Sequence, residues 1–270
     1  MIPYMPKLGG WRPDSQMPGA SADVDWKFCA NKATLLVASV GVSSPGVEVD
    51  GVLDLRKWCS PVEDQGRLGS CVGNAVVGAL EFLQIRSGMT LTDLSRLFVY
   101  YNSRLMHQDQ DKDTGTYIRL AFGTLSSLGT CSERRWAYDV NKVFTRPGWS
   151  CYRDGYANKI GSYYSIDSKG QERIDQIKEA LQTQHPVVFG MLVDREYAKF
   201  TGSGVVSMPG SSRQDVGGHA QLIVGYDENK RAWLVRNSWG TWWGDAGYAW
   251  VPYAYLDASD ADDFWVATAL

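Results

Sequence analysis

Histidine is scarce in this chain, with three in 270 residues, so any chemistry that needs an imidazole has only His107, His185 and His219 to draw on. Cysteine is sparse as well. The five thiols, at positions 29, 59, 71, 131 and 151, are too few and too scattered for a disulfide scaffold, and no CxxC pair suggests zinc. The odd count leaves at least one thiol unpaired within the chain; a single disulfide among Cys29, Cys59, Cys131 and Cys151 fits the count without a defined connectivity. There is no Lys/Arg run, and the net charge is −3, so no basic groove for nucleic acid is expected. No apolar run approaches the ~20 residues of a membrane span; one of the longest, TLLVASVGV, covers only 34–42. The opening MIPYMPKLGGWRPDSQ lacks the basic start and apolar run of a secretory signal. The compartment stays open between the cytoplasm and export by a non-classical route, with no membrane partner expected.

What is present is ordinary for a soluble globular protein: 44% apolar and 21% charged residues, in a chain long enough for one large domain or two lobes sharing a cleft. Residues 1–50 stand apart. Scattered Pro and Gly and one short apolar run cannot build a core, so this segment is either a plain tail or a strap lying on the main body. From residue 70 the pattern becomes helical: CVGNAVVGALEFLQIRSG is small or apolar on nearly every face and closes at Gly88, which predicts a buried central helix. Further helices are predicted over 94–106 and 117–128. After about residue 160, short β-branched and aromatic runs at 186–193, 204–208, 220–226, 232–237, 247–252 and 264–267 predict antiparallel strands, interrupted by a helix over 171–183. The expectation is an α+β protein: a helical lobe over about 55–158, an antiparallel, barrel-like β lobe over about 159–270, and a cleft between them.

The most informative stretch is Gln65-Gly66-Arg67-Leu68-Gly69-Ser70-Cys71. A thiol in the first turn of a buried helix meets the positive end of the helix dipole, which stabilises a thiolate. A glutamine a few residues earlier, across a glycine-rich turn, offers a side-chain N–H to an oxyanion forming beside the Cys71 N–H. Alone, a cysteine opening an apolar helix is a packing residue; this frame reverses that inference. Of the histidines, His107 in MHQDQDKD and His185 before Pro186 read as solvated surface residues. His219, in Gly217-Gly218-His219-Ala220, opens an apolar strand. Asn237 ends another in Asn237-Ser238-Trp239-Gly240. Neighbouring strands would set Asn237 against the imidazole, fixing its tautomer, with Trp239 shielding that bond from water.

A Gly-Ser-Cys helix start, a Gly-His-Ala strand and Asn-Ser-Trp-Gly-x-x-Trp-Gly together resemble the papain family of cysteine peptidases, over roughly residues 50–270. The Asp54-Leu55-Arg56 opening and the Pro252-Tyr253-Ala254-Tyr255-Leu256 segment look like its compact bacterial branch. The resemblance implies a papain-like fold and a cysteine endopeptidase with Cys71 as nucleophile, His219 and Asn237 as its partners, Gln65 in the oxyanion hole, and no cofactor or metal. It further implies that Gly115 pairs with an extended substrate, that Tyr117 or Ile118 and Ala220 line the pocket for the second residue before the scissile bond, and that Trp243 flanks the leaving-group side. The partner is then a protein or peptide substrate. Leu68 and Val72 depart from the family pattern, where a disulfide cysteine and an aromatic residue are usual. Relatives are commonly zymogens, so part of residues 1–45 is expected to cross the cleft and restrain activity within the molecule, the alternative being a plain tail or an extra strand on the outside of a lobe. Two other readings remain at this point: a transamidase or amidase using the same thioester chemistry, and a catalytically silent binding protein. The alternating acids of Asp109-Gln110-Asp111-Lys112-Asp113 suggest a calcium loop, but Thr114 stands at the sixth position and Leu120 at the twelfth, where glycine and glutamate are required. A solvated acidic loop that biases the cleft towards basic substrates is expected instead. The eleven tryptophans are expected mainly in the core and the cleft walls.

Overall fold

The computed structural model describes residues 7–17, 48–210, 215–257, 261–268 and 270. Expectations for the apolar run at 34–42, for Cys29 and for most of residues 1–45 therefore lie outside the described residues. In chain order the elements are β1 (Val52–Asp54), α1 (Cys71–Arg86), α2 (Arg96–Met106), α3 (Ile118–Ser127), α4 (Trp149–Gly155), β2 (Tyr163–Ile166), α5 (Gly170–Gln182), β3 (Val187–Asp194), α6 (Arg195–Ala198), β4 (Asp215–Asp227), β5 (Ala232–Arg236), β6 (Tyr248–Pro252), α7 (Tyr253–Asp257) and β7 (Ala261–Ala267). Three of the four long helices thus precede β2, and the strands follow, except that β1 crosses back to join the sheet.

Helix α1 is the axle of the fold. Every residue but Ile85 is buried, as expected of a helix apolar all round. Its glycines permit close approach. A Cβ at Gly73 would sit 2.9 Å from the Arg96 carbonyl oxygen on α2, and one at Gly78 would sit 2.5 Å from Arg236 Nη1 on β5. The helix stops where Gly88 turns left-handed at φ 77°, and the Gly88 and Met89 N–H groups return to the Ile85 and Gln84 carbonyls, a glycine C-cap. Two ionisable side chains lie inside: Arg86 Nη1 donates to the Gln184 carbonyl at 2.6 Å, and Glu81 accepts from Ser60 Oγ at 2.6 Å and the Leu94 N–H at 2.9 Å. Burial pushes its carboxyl up to about 7.

The strands form one seven-stranded sheet in the order β2-β7-β3-β4-β5-β6, with β1 added to β4. All named pairings are antiparallel. Helix α1 packs on β4, so the helical half and the sheet share one main core. Residues 204–208 form no strand; only an isolated bridge, Val205 to Trp250, is made there. At Leu68, where the family pattern has a cysteine, the side chain is buried in an apolar cluster with Leu97, Tyr100 and Val143, and packing takes the place of a covalent tie. Among the described residues no helix is long and apolar enough to cross a membrane.

Candidate active site

Cys71 is the first residue of α1, and Ser70 is its N-cap. The Ser70 hydroxyl is committed to Tyr138 Oη, which also donates to the Gln65 carbonyl at 2.8 Å. Tyr138 therefore pins the turn just before the thiol. Asn74 Nδ2 donates to the Ser70 carbonyl at 3.0 Å and fixes the turn just after it.

His219 lies on β4 and Asn237 directly follows β5. His219 Nε2 is 2.8 Å from Asn237 Oδ1. An amide oxygen only accepts, so Nε2 carries the proton and Nδ1 is the basic nitrogen. The same Oδ1 accepts the Ser238 N–H at 2.7 Å, which holds the amide in this orientation. Trp239 stacks on the imidazole with ring centroids 4.2 Å apart and an interplanar angle of 19°, and it is fully buried. The two halves meet through Gln65: its N–H donates to the Ser238 carbonyl at 2.8 Å, and its Oε1 accepts from Ser238 Oγ at 2.7 Å. Gln65 Nε2 donates one proton to the Leu68 carbonyl at 3.0 Å, and its other proton faces the cleft.

The cleft is filled by residues 7–17. Gly9 N–H bonds to the Gly218 carbonyl at 2.9 Å, Thr116 N–H to the Gly10 carbonyl at 3.0 Å, and Arg12 N–H to the Thr116 carbonyl at 3.0 Å; Trp11 and Thr116 thus form a parallel bridge. Gly10 passes over the thiol. A Cβ there would lie 2.7 Å from Cys71 Sγ and 2.5 Å from the Gly69 carbonyl oxygen. Two ion pairs clasp the strap to the acidic loop: Lys7 to Asp113 at 2.5 Å and Arg12 to Asp109 at 2.9 Å. A third joins Arg119 to Asp14 at 2.7 Å.

This cover sets the electrostatics. Burial pushes the Cys71 thiol up to about 12, against hydrogen bonds from the Ala220, Val72 and Cys71 backbone that pull it down. Burial lowers His219 to about 4, opposed by its bond to Asn237. Under the strap both groups are held neutral.

Several expectations need correction. His185 is fully buried, and burial lowers it to about 3; it packs at the end of α5, where its N–H meets the Ala180 carbonyl. His107 is not solvated either. Its ring packs edge-on to Tyr117 with centroids 5.2 Å apart, and burial lowers its pKa. The acidic loop is half-closed over the strap: the Asp109 and Asp113 side chains are only 17% and 14% exposed, and bonds from Lys112 and Arg12 hold Asp109 down to about 2.

The substrate-binding candidates are distributed unevenly. Gly115 donates its N–H to Tyr100 Oη at 3.2 Å, while its neighbour Thr116 carries the extended pairing. Tyr117 donates to the Gln16 carbonyl at 3.2 Å and meets Arg12 at 5.5 Å. Ile118 is fully buried and opens α3, and Ala220 is 1% exposed beside His219. Trp243 is fully buried; it packs edge-on to Trp239 and donates to the Tyr197 carbonyl at 2.9 Å. Sequence reasoning missed Trp11, Thr116, Gly190 and Asp263. Only the Gly217-Gly218 pair and the lone glycine in strand β3 hinted at a close approach. Cys59, Cys71, Cys131 and Cys151 are free thiols. Among the described residues no cluster of ligands could hold a metal.

Residues 50–258 match the family model described as papain family cysteine protease. An uncharacterized peptidase C1-like protein of Acanthamoeba polyphaga mimivirus is 38% identical over 81% of this chain and 74% of its own length. Procathepsin L of Felis catus is 30% identical over 75% of this chain, and the match spans 60% of that relative's length. Among solved structures, xylellain, a cysteine protease from Xylella fastidiosa, superposes with a TM-score of 0.79 at 30% identity, covering 98% of this chain and 97% of the other. With a thiol at a helix start, an imidazole oriented by an asparagine and a matching domain model, the chain belongs to the papain family of cysteine proteases and has its two-lobed α+β fold.

Proposed function

We propose that the protein is a cysteine endopeptidase held latent by its own residues 7–17. In the open enzyme the Cys71 proton passes to His219 Nδ1, leaving a thiolate at the start of α1 and an imidazolium oriented by Asn237. The thiolate attacks a peptide carbonyl, and the oxyanion is held by Gln65 Nε2 and the Cys71 N–H. The imidazolium then protonates the departing amine, and the resulting imidazole activates water to release the acyl group. The observation that carries this reading is the 2.8 Å bond between His219 and Asn237, roofed by Trp239 and tied through Ser238 to Gln65.

The strap covers this machinery without acting as a substrate. Gly10 is the residue against Cys71 Sγ, yet the strap carbonyl held by Gln65 Nε2, at 3.3 Å, belongs to Lys7. Nucleophile and oxyanion donor are therefore aimed at different peptide groups, and acyl transfer needs both at one carbonyl. The test is hydrolysis of short peptides by the full chain and by Cys71→Ala. Loss of turnover and of labelling by a thiol-directed epoxide is expected in the variant; turnover that persists in Cys71→Ala would remove Cys71 from the mechanism.

A further inference from the structure

Behind the His219–Asn237 pair, between α1 and strands β4 and β5, lies a small polar chamber. Glu63, Asn74, Gln221, Arg236 and Asn237 line it, and its size suits about one water molecule. Asn74, Gln221, Arg236 and Asn237 are each no more than 5% exposed. Among the described residues, no protein group bonds to Asn74 Oδ1, Gln221 Nε2, Arg236 Nε or Asn237 Nδ2. Four orphaned polar atoms around one small cavity run against the rule that buried polar groups are hydrogen-bonded.

Bonds outside the chamber fix which end of each side chain stays free. Asn74 Nδ2 donates to the Ser70 carbonyl at 3.0 Å, which leaves its oxygen. Gln221 Oε1 accepts from Tyr197 Oη at 2.7 Å, which leaves its amide nitrogen. Asn237 Oδ1 already accepts from His219 Nε2 and the Ser238 N–H, so Nδ2 remains. Arg236 commits Nη2 to Ser60 and the Pro61 carbonyl, so Nε remains. The chamber thus presents three donors, one amide oxygen and the Glu63 carboxylate. An anion would face those oxygens, and a cation would face the Arg236 guanidinium. A neutral water donates and accepts at once, and suits the mixed set.

We propose that a water bound here accepts from Asn237 Nδ2 and donates to Asn74 Oδ1, which makes Asn74 a positioning residue for the reaction. Asn74 stands three residues after Cys71 on α1. Its amide nitrogen holds the turn that carries the thiol; through the water, its oxygen holds the amide that orients His219. One side chain on the helical half thus keeps nucleophile and imidazole in register, although the imidazole is carried by the sheet. Without the water the Asn237 amide is anchored at its oxygen alone, and the His219 tautomer is less firmly held. The proposal rests on the latent-protease reading above and adds a residue to its machinery.

The test has two parts. A high-resolution crystal structure of the full chain should show an ordered water within hydrogen-bond reach of both Asn237 Nδ2 and Asn74 Oδ1. A chamber without that water would overturn the proposal, and this part needs no variant to fold. The second part is a double-mutant cycle in the full chain opened by Trp11→Ala, comparing Asn74→Leu, Asn237→Ala and both together on one short peptide. Rates are normalised to active sites titrated with a thiol-directed epoxide, so a partly misfolded variant does not mimic a loss. Asn74→Leu should lower kcat about tenfold with KM little changed, and should have no further effect once Asn237 is alanine. A side chain that only supports the fold would add its full loss in both backgrounds. Additive losses, or Asn74→Leu at the parental kcat, would therefore overturn the positioning role and leave the protease intact. No turnover by the Trp11→Ala parent would overturn the protease reading and the positioning role with it, while the crystal structure would still decide the water.

Discussion

Replacing Trp11 with alanine perturbs the closed state at its best-packed point. A tryptophan buries about 200 Å², which at about 25 cal/mol per Å² gives an upper value near 5 kcal/mol. The open strap keeps part of its ring covered, and the emptied space refills with water, so about 3 kcal/mol is the working figure. The lost bond from the indole Nε1–H to Asp263, at 2.9 Å, falls within that range. At 1.4 kcal/mol per factor of ten, the open fraction rises about 100-fold, until it saturates at full opening. The assay is kcat/KM on a short fluorogenic peptide for the full chain and for Trp11→Ala, at matched pH and salt, with thermal unfolding followed in parallel. A large rise in kcat/KM is expected. Equal values in two equally folded proteins would refute the idea that Trp11 holds the cleft shut.

Gly10→Val should act in the same direction, since its Cβ would fall within 2.7 Å of Cys71 Sγ and 2.5 Å of the Gly69 carbonyl oxygen; a latent Gly10→Val protein would show that Gly10 does not lie over the thiol. Raising salt from about 0.05 to 0.5 M shrinks the Debye length several-fold. It should raise wild-type activity a few-fold by loosening the partly exposed Lys7–Asp113 and Arg12–Asp109 pairs, and do little to an already open Trp11→Ala form. Glu81→Leu leaves the Leu94 N–H without its acceptor and should cost about 1–3 kcal/mol of stability, read by denaturant unfolding.

Much of the site was legible because its chemistry depends on local frames. A glycine-rich turn before a cysteine, a helix apolar on every face, and a histidine opening an apolar strand each carry their meaning within a few residues. The long helices and most strands followed from periodicity and from stops such as Gly88. What escaped depends on partners distant in sequence. His185 looked solvated beside Pro186, but the chain after α5 folds it inward. Strand β1 is three residues long and is recognisable only through β4. The close approach of Gly10 to Cys71, and the empty space over Gly190, exist only once the strap is laid across both halves. Asp263 reads as one more acid in an acidic run until the Trp11 indole donates to it.

The most direct test of the central claim is the pH dependence of Cys71 alkylation, followed residue by residue by mass spectrometry in the full chain and in Trp11→Ala. Under the strap the thiol sits at about 12 against the ordinary 9.0. A raised thiol pKa depletes the reactive thiolate at every pH below it, here by roughly a thousandfold near neutrality. Wild-type labelling of Cys71 should therefore be slow at pH 7 and climb steadily towards pH 10. In Trp11→Ala, where the thiolate–imidazolium pair can form, labelling should be fast and nearly flat from pH 6 to 8. Matching profiles in the two proteins would contradict a nucleophile held neutral by residues 7–17.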